Sequence, residues 1–125
     1  NREDTYQYTE KEMRRRARKL WFKAHRAGGI DLLLTHAPAK GLNDGDDKAH
    51  KGFETFNGLL KDYQPKWFVH GHVHLNYDAK LPRVCTHGRT TVINATERYL
   101  FEIPDPDLTA RRKFFWKNPA FTTEN

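Results

Sequence analysis

Two short apolar runs, each followed by histidine, constrain the fold of this chain more than any other feature. The first is IDLLLT at residues 30–35, followed by His36, and the second is KWFV at residues 66–69, followed by HGHVH. Runs of this length and composition are typical of strands buried in a parallel sheet. The pattern therefore predicts two buried strands that carry histidines at their carboxyl ends.

A helix is predicted between these two strands. Its apolar residues recur at spacings of three and four before Pro65, which ends the helix: Phe53, Phe56, Leu60 and Tyr63. Strand, helix and strand in this order predict a right-handed crossover that joins two parallel strands. The preceding segment at 37–52, APAKGLNDGDDKAHKG, has no periodicity and is predicted to be a loop of functional length.

A further helix is predicted at the amino-terminal side, from about Glu10 to Ala27. Thr9 and Glu12 form a capping box that can satisfy the first free amides of this helix. Gly28 and Gly29 are suited to end it, because glycine tolerates the left-handed backbone of a helix cap. The segments RVCTHGRTTVINA at 83–95 and RYLFEI at 98–103 predict a late antiparallel hairpin or meander.

Composition limits the kinds of site that the chain can form. Cys85 is the single cysteine, which excludes an internal disulfide and a cysteine-ligated zinc site. The 22 Lys and Arg against 16 Asp and Glu give a net charge of +6, and residues 11–26 hold eight basic residues against one Glu. A basic helix face is more often solvated surface than a docking site, so nucleic acid is kept as a minor alternative partner.

The chain of 125 residues is long enough for one domain. It has no apolar run long enough to span a bilayer, and its first ten residues, NREDTYQYTE, are polar. We therefore expect no membrane partner and a cytoplasmic location. The chain begins at Asn1 and its methionine, Met13, falls inside the predicted helix, so we expect it to be part of a longer product.

The histidines His70, His72 and His74 alternate, and in an extended backbone alternate side chains share one face. Ligands of open parallel sheets bind beyond the carboxyl ends of the strands, where His36 also lies. Adjacent strands run about 4.8 Å apart, so His36 and this cluster can reach one ion through bonds of about 2.0 to 2.1 Å. The placement favours metal ligation over a purely structural role.

The strand-end His36 and the Gly-His-x-His motif from Gly71 to His74 resemble the second half of calcineurin-like metallophosphoesterases, over residues 30–103. The resemblance implies that His36 and His72 bind one divalent ion and that His74 binds a second, with Mn, Fe or Zn as the metals. His70 precedes the matched motif, and we interpret it as a packed histidine or one that supports a ligand.

The resemblance also implies the fold, which is half of a four-layer α/β/β/α sandwich. Residues 1–103 would be the C-terminal half of the domain, and 104–125 a basic and aromatic tail. The family's first half supplies an Asp-x-His pair, a bridging Asp, and a Gly-Asn-His motif with the catalytic His. No such motif is recognisable here, so no catalytic residue is assigned and the missing half must come from the same polypeptide or a second chain.

The long loop provides weaker candidates for substrate contacts. Its carboxylates do not have the spacing of a calcium-binding EF-hand loop, and a rim of the active site is the preferred interpretation of Asp44, Asp46 and Asp47. His50 and Lys51 are candidate phosphate contacts, with a plain solvated loop as the alternative. Asn94, at the end of the strand in VINA, is a candidate to support the fold or a metal ligand.

These observations favour a metal-dependent phosphoesterase that hydrolyses a phosphomonoester or phosphodiester when the domain is complete. The isolated chain is expected to be inactive, because it lacks the bridging carboxylate and catalytic histidine. The alternative is a non-catalytic metal-binding or polyanion-binding fragment. A nucleic-acid-binding protein without metal ranks last, because it leaves the strand-end histidines unexplained.

Overall fold

The computed structural model describes residues 7–45, 50–74 and 81–104. These residues form a mixed α/β structure with two helices and one sheet of four strands, in the sheet order β1-β2-β4-β3. In chain order the elements are α1 (Glu10–Ala27), β1 (Leu32–Leu34), α2 (Glu54–Tyr63), β2 (Trp67–His70), β3 (Val84–His87) and β4 (Thr90–Asn94).

The connections agree with the predicted strand, helix and strand unit. β1 and β2 pair in parallel, with Leu33 opposite Phe68, and α2 joins them. β4 pairs in parallel with β2 on its other side and antiparallel with β3. Gly88 lies between β3 and β4 with a φ of 59°, a left-handed backbone that glycine adopts without strain. The parallel unit and the late hairpin are therefore confirmed.

The helix α1 has the bounds that its local signals predict. The Thr9 backbone N–H donates to Glu12 Oε2 at 2.8 Å, and the Glu12 N–H donates back to Thr9 Oγ1 at 3.3 Å. At the other end Gly28 has a φ of 84° and donates its N–H to the Ala24 carbonyl. Both ends are determined by contacts within four residues, which explains why the sequence predicts them.

The core lies on one face of the sheet, beneath the two helices. Phe68 and Val92 are fully buried, and α2 covers them with the side chains of Phe56, Leu59 and Leu60. On the opposite face apolar side chains stay accessible: Leu34 of β1 is 70% exposed, and Leu32 and Val84 are also exposed. At the centre of this face Val69 and Ile93 are buried, so within the described residues it is the side chains of the outer strands β1 and β3 and the open edge of β1 that stay accessible.

The predicted strand at 98–103 does not form. The Arg83 guanidinium donates to the carbonyl oxygens of Asn94, Thr96 and Arg98, and the Arg98 N–H bonds to the Thr96 carbonyl at 3.0 Å. Glu97 adopts a left-handed φ of 69°. These contacts turn the chain directly after β4, so the backbone polar groups of RYLFEI are not aligned with a strand edge.

Two other expectations fall on residues outside those described. The tail predicted at 104–125 is described at Pro104 alone, and Asp46 and Asp47 of the loop are not described. Among the described residues, no helix has both the length and the apolar character needed to cross a bilayer.

Tyr63 connects the two helices, and its ionisation is expected to lower the stability of the folded chain at alkaline pH. Its buried hydroxyl donates to the Trp21 carbonyl at 2.8 Å. Burial, and then the neighbouring Asp62 carboxylate, raise the pKa of Tyr63 from 10.0 to about 12. Because the folded pKa is raised, the stability contributed by the neutral phenol is full below pH 10.0 and is lost as pH rises towards about 12.

We therefore expect Tyr63→Phe to lower the free energy of unfolding by about 1 kcal/mol at neutral pH, and by less at alkaline pH. Urea unfolding of both proteins across the alkaline range measures this difference. Tyr99→Phe is the matched control, because Tyr99 is exposed. A constant difference between the Tyr63→Phe and parent proteins at all pH values would contradict the expectation.

Candidate metal centre

The hydrogen-bond ladder of β1 and β2 continues past the ends of both strands. The Thr35 N–H donates to the Val69 carbonyl at 3.0 Å, and the Gly71 N–H donates to the His36 carbonyl at 3.0 Å. The backbone of His36 is therefore tied to the residue that precedes His72. The two histidine segments leave the sheet side by side, at its carboxyl edge.

The structure brings the rings of His36 and His72 together. His36 Nε2 lies 3.1 Å from His72 Nδ1, and the ring centroids are 5.0 Å apart with the rings edge to face. The contact is a hydrogen bond between the two rings, so one of these nitrogens carries the proton and the other accepts it. Imidazole nitrogens are common ligands of divalent ions, and an ion held by both atoms would take the place of that proton.

His72 itself has an unusual backbone, with a φ of 67° in the left-handed region. Non-glycine residues rarely adopt this conformation, and such strain persists where surrounding contacts hold it. β2 ends at His70, and the left-handed φ of His72 shows that the backbone beyond this end is not extended. The expectation that His70, His72 and His74 share one face by strand alternation is wrong for this reason.

A buried polar cluster holds the backbone directly after His72. The Val73 carbonyl accepts from Asn94 Nδ2 at 2.7 Å and from Thr96 Oγ1 at 3.0 Å. The Asn94 Oδ1 atom accepts in turn from the Thr96 N–H at 3.0 Å. We name this the Val73 brace: Val73, Asn94 and Thr96. It ties the segment between His72 and His74 to the end of β4.

Thr96 is the member of the brace that the sequence analysis missed. An Asn that bonds the backbone N–H two residues later is a common turn motif. The order Asn94, Ala95, Thr96 after a strand was therefore an available signal for a turn. Its partner, the Val73 carbonyl, lies more than 20 residues away in the chain and has no local signal.

His70 lies in a buried environment, unlike the more accessible His36 and His72. It is 1% exposed, its ring lies 5.5 Å from the ring of Phe68, and its Nδ1 lies 3.1 Å from the Gly71 carbonyl oxygen. A carbonyl can only accept, so Nδ1 carries the proton. Burial lowers the pKa of His70, opposed by the Gly71 hydrogen bond and by the Asp44 charge. The ring is held in its neutral form.

The second ring nitrogen of His70 makes this position unusual. His70 Nε2 is buried and has no hydrogen-bond partner among the described residues. Buried polar atoms without a partner are rare in folded proteins. The ring packs against Phe68 and is buried, which matches a packed histidine more closely than a ligand of an ion held by His36 and His72.

The long loop brings His50 to the same place. The Gly45 N–H donates to the His50 carbonyl at 3.0 Å, and Asp44 Oδ2 accepts the Gly52 N–H at 2.9 Å. These bonds fold the loop back on itself, and the ring centroid of His50 lies 5.3 Å from that of His72. Asp44 therefore acts within the loop, where it supports the position of His50.

A cavity of about 650 Å³ opens beside the two paired histidines. Its walls are mainly apolar side chains of α1, β1 and α2, and Arg16 and Lys51 are among its lining residues. Lys51 is exposed and lies next to His50 in sequence. The cavity thus combines apolar walls, two cationic side chains and the nitrogens of His36 and His72.

His74 follows the buried Val73 and is exposed. Within residues 7–45, 50–74 and 81–104, no group of three His, Cys, Asp or Glu side chains is close enough to hold a metal ion. The described residues therefore provide a pair of imidazoles rather than a complete centre. Ligation by His36, His72 and His74 together stays a prediction.

The fold and the paired histidines define an α/β protein with a candidate metal centre at the carboxyl edge of its sheet. Curated relatives are similar to about half of the chain. "Metallophosphoesterase domain-containing protein 1" of Homo sapiens is 34% identical over 71 residues, which is 54% of this chain and 20% of that protein. The protein of the same name from Mus musculus matches equally. A UPF0046 protein of Caenorhabditis elegans is 32% identical over 88 residues, 61% of this chain and 21% of that protein.

These similarities support a metallophosphoesterase-like family for part of the chain. The chain spans about a fifth of the length of the curated relatives that it matches. No protein-family model matches the chain, and the search of solved structures found no significant match.

The hydrogen bonds of the Val73 brace predict that replacing Asn94 lowers the free energy of unfolding. Asn94→Ala leaves the buried Thr96 N–H without its acceptor and removes one of the two donors to Val73, so we expect the free energy of unfolding to fall by about 1–3 kcal/mol. Asn57→Ala is the matched control, because the Asn57 amide makes an exposed hydrogen bond to the Lys40 carbonyl. Urea unfolding measures both, and equal losses would show that the brace has no special role.

Proposed function

We propose that the complete protein is a metal-dependent phosphoesterase and that this chain contributes the histidine side of its active site. The observation that carries the proposal is the 3.1 Å approach of His36 Nε2 and His72 Nδ1 at the carboxyl edge of a parallel sheet. The support from outside the chain is the family to which the similar curated proteins point. The reaction is hydrolysis of a phosphomonoester or phosphodiester.

The histidines would hold two divalent ions, of Mn, Fe or Zn. His36 and His72 would share one ion and His74 would bind the other. Such ions, when bound, polarise a phosphate ester and lower the pKa of bound water, which provides a nucleophile at neutral pH. The strained backbone of His72 and the Val73 brace would keep the ligand nitrogens in position before an ion arrives.

His50 and Lys51 would bind the substrate phosphate. Lys51 lines the cavity together with His36 and His72, and the ring of His50 lies beside that of His72. The Lys51 ammonium would compensate part of the charge of a phosphate, and hydrogen bonds from Lys51 and His50 would orient it towards the ions. Asp44 would keep the loop folded through its bond to the Gly52 N–H.

The remaining groups of the site would come from a first half of the domain, which completes a four-layer sandwich. The open edge of β1 and the exposed Leu32 and Leu34 support this proposal, because an uncovered strand edge and apolar face favour pairing with further strands. Two cations a few ångströms apart also need bridging negative charge. We assign the carboxylate that would supply this charge, and the catalytic histidine, to the other half of the domain.

We also propose a cytoplasmic location for the protein.

The second candidate is a non-catalytic metal-binding or polyanion-binding fragment. The observation that favours it is the absence of any group of three candidate ligands among the described residues. In that case His36 and His72 would hold one ion, or none, without hydrolysis. Metal content and activity, measured on the same protein, separate the two candidates.

Histidine substitutions in the full-length protein test the ligand assignment. We expect His36→Ala and His72→Ala each to deplete the same ion, and their combination to reduce activity by less than the product of the two single effects, because residues that act as a unit are non-additive. His74→Ala should deplete the other ion. Metal content by mass spectrometry and calorimetric titration with Mn²⁺ measure the stoichiometry of each variant.

The control is His87→Ala, an exposed histidine at the end of β3 that lies outside the candidate site. It should leave both the metal content and the activity unchanged. Unchanged stoichiometry and activity in all three site variants would show that the strand-end histidines are structural.

A further prediction concerns the 125-residue chain by itself. We expect little or no Mn²⁺-dependent hydrolysis of a chromogenic phosphodiester, because the bridging carboxylate and the catalytic histidine are assigned to the other half. The full-length protein, assayed in parallel, is the positive control. Robust hydrolysis by the chain alone would refute this division of the site.

A further inference from the structure

On the solvent side of α1, one exposed aromatic ring is surrounded by basic side chains. Phe22 is 65% exposed and lies on the side of the helix opposite the residues that pack on the core. Residues three and four positions away are its neighbours on a helix surface. All four of these neighbours are basic, and together with Phe22 they form what we name the outer patch: Arg18, Lys19, Phe22, His25 and Arg26.

The cations of the outer patch are not neutralised by the described part of the protein. Arg18, Lys19 and Arg26 are exposed, and none of them forms an ion pair with a described residue. The carbon at the centre of the Arg26 guanidinium lies 6.0 Å from the centroid of the Phe22 ring. The patch thus presents positive charge and an aromatic face within one turn on each side of Phe22.

The arrangement differs from that of a helix that lies in a membrane surface. Such a helix buries a continuous apolar face in the lipid and keeps its cations on the other side. In α1 the apolar face is used by the protein, where Met13, Ala17 and Ala24 pack against the core. Leu20 and Trp21 are also partly exposed, at 42% and 40%, but they flank the core-facing side of the helix. The outer side itself offers lipid one phenyl ring, which is little apolar area.

Single-stranded nucleic acid has the complementary chemistry. Proteins that bind it without sequence preference combine a basic track for the phosphates with aromatic rings on which bases stack. Phe22 supplies the ring, Arg26 adds a guanidinium beside it, and Arg18 and Lys19 supply charges for the phosphates one turn earlier. A duplex keeps its bases stacked on one another and would use the charges but not the ring.

We propose that the outer patch is a binding site for single-stranded nucleic acid, distinct from the candidate metal centre. Phe22 stacks on a base and Arg18, Lys19 and Arg26 contact the phosphates. The outer patch lies on the face of α1 that is turned away from the core. Binding there would therefore not require the hydrolytic reaction that we propose for the candidate metal centre.

The test uses the full-length protein and a fluorescently labelled 20-nucleotide oligo(dT), with binding followed by anisotropy at several salt concentrations. Three phosphate contacts predict that log K falls against log salt with a slope of about −2. Phe22→Ala should weaken binding about tenfold without changing this slope. Arg18→Ala combined with Lys19→Ala should make the slope shallower by about 1.4.

Two controls make the result specific. Lys61→Ala removes an exposed charge from α2 and should leave binding and slope unchanged. Phe22→Trp keeps an aromatic face and should bind at least as well as the parent protein. Phe22 is exposed, so its variants are expected to fold, and circular dichroism checks this.

Three outcomes would overturn the proposal. The first is the absence of oligo(dT) binding even at low salt. The second is equal binding of oligo(dT) and a duplex of the same length with no effect of Phe22→Ala, which would indicate charge attraction alone. The third is Phe22-dependent binding to phosphatidylserine vesicles in preference to oligo(dT), which would indicate a membrane surface instead.

Discussion

The hydrogen bonds that continue the β1–β2 ladder beyond the strand ends are the contacts on which the rest of the structure depends. The bond from the Gly71 N–H to the His36 carbonyl carries the parallel register past the sheet and into the two histidine segments. Backbone groups set this register, and the buried pair of Leu33 and Phe68 fixes which face of each strand meets the helices. The approach of His36 and His72 follows from that register, since each lies a short way beyond its strand.

A second layer of contacts keeps the site from relaxing. The left-handed backbone at His72 costs of order 1–3 kcal/mol, and the buried hydrogen bonds of Asn94 and Thr96 to the Val73 carbonyl stabilise the turn that contains it. His70 contributes from the other side as a neutral, packed ring, because burial lowers its pKa. The segment that carries His72 is therefore flanked by buried polar side chains, with His70 before it and with Asn94 and Thr96 bonded to the Val73 carbonyl after it.

The exposed face of the sheet and the outer side of α1 differ in chemical character. The sheet face that carries Leu32 and Leu34 is apolar and has an open strand edge, which is the property of a surface that further strands cover. The outer side of α1 is charged and carries the exposed Phe22. The chain spans about a fifth of the length of its curated relatives. The first surface is the one that we propose a first half of the domain covers, and the second is the one that we propose binds single-stranded nucleic acid.

The sequence by itself determined the features that short-range physics controls. The bounds of α1 follow from the Thr9–Glu12 capping box and from Gly28, and the order of β1, α2 and β2 follows from the period of their apolar residues. Tertiary structure decided the rest. RYLFEI forms no strand because the Arg83 guanidinium bonds to carbonyls up to 15 residues away. The ring of His50 lies beside His72, and Thr96 braces Val73 across 23 residues of sequence. These contacts join segments that are distant in the chain, and a local pattern contains no information about which distant group will satisfy a buried donor or acceptor.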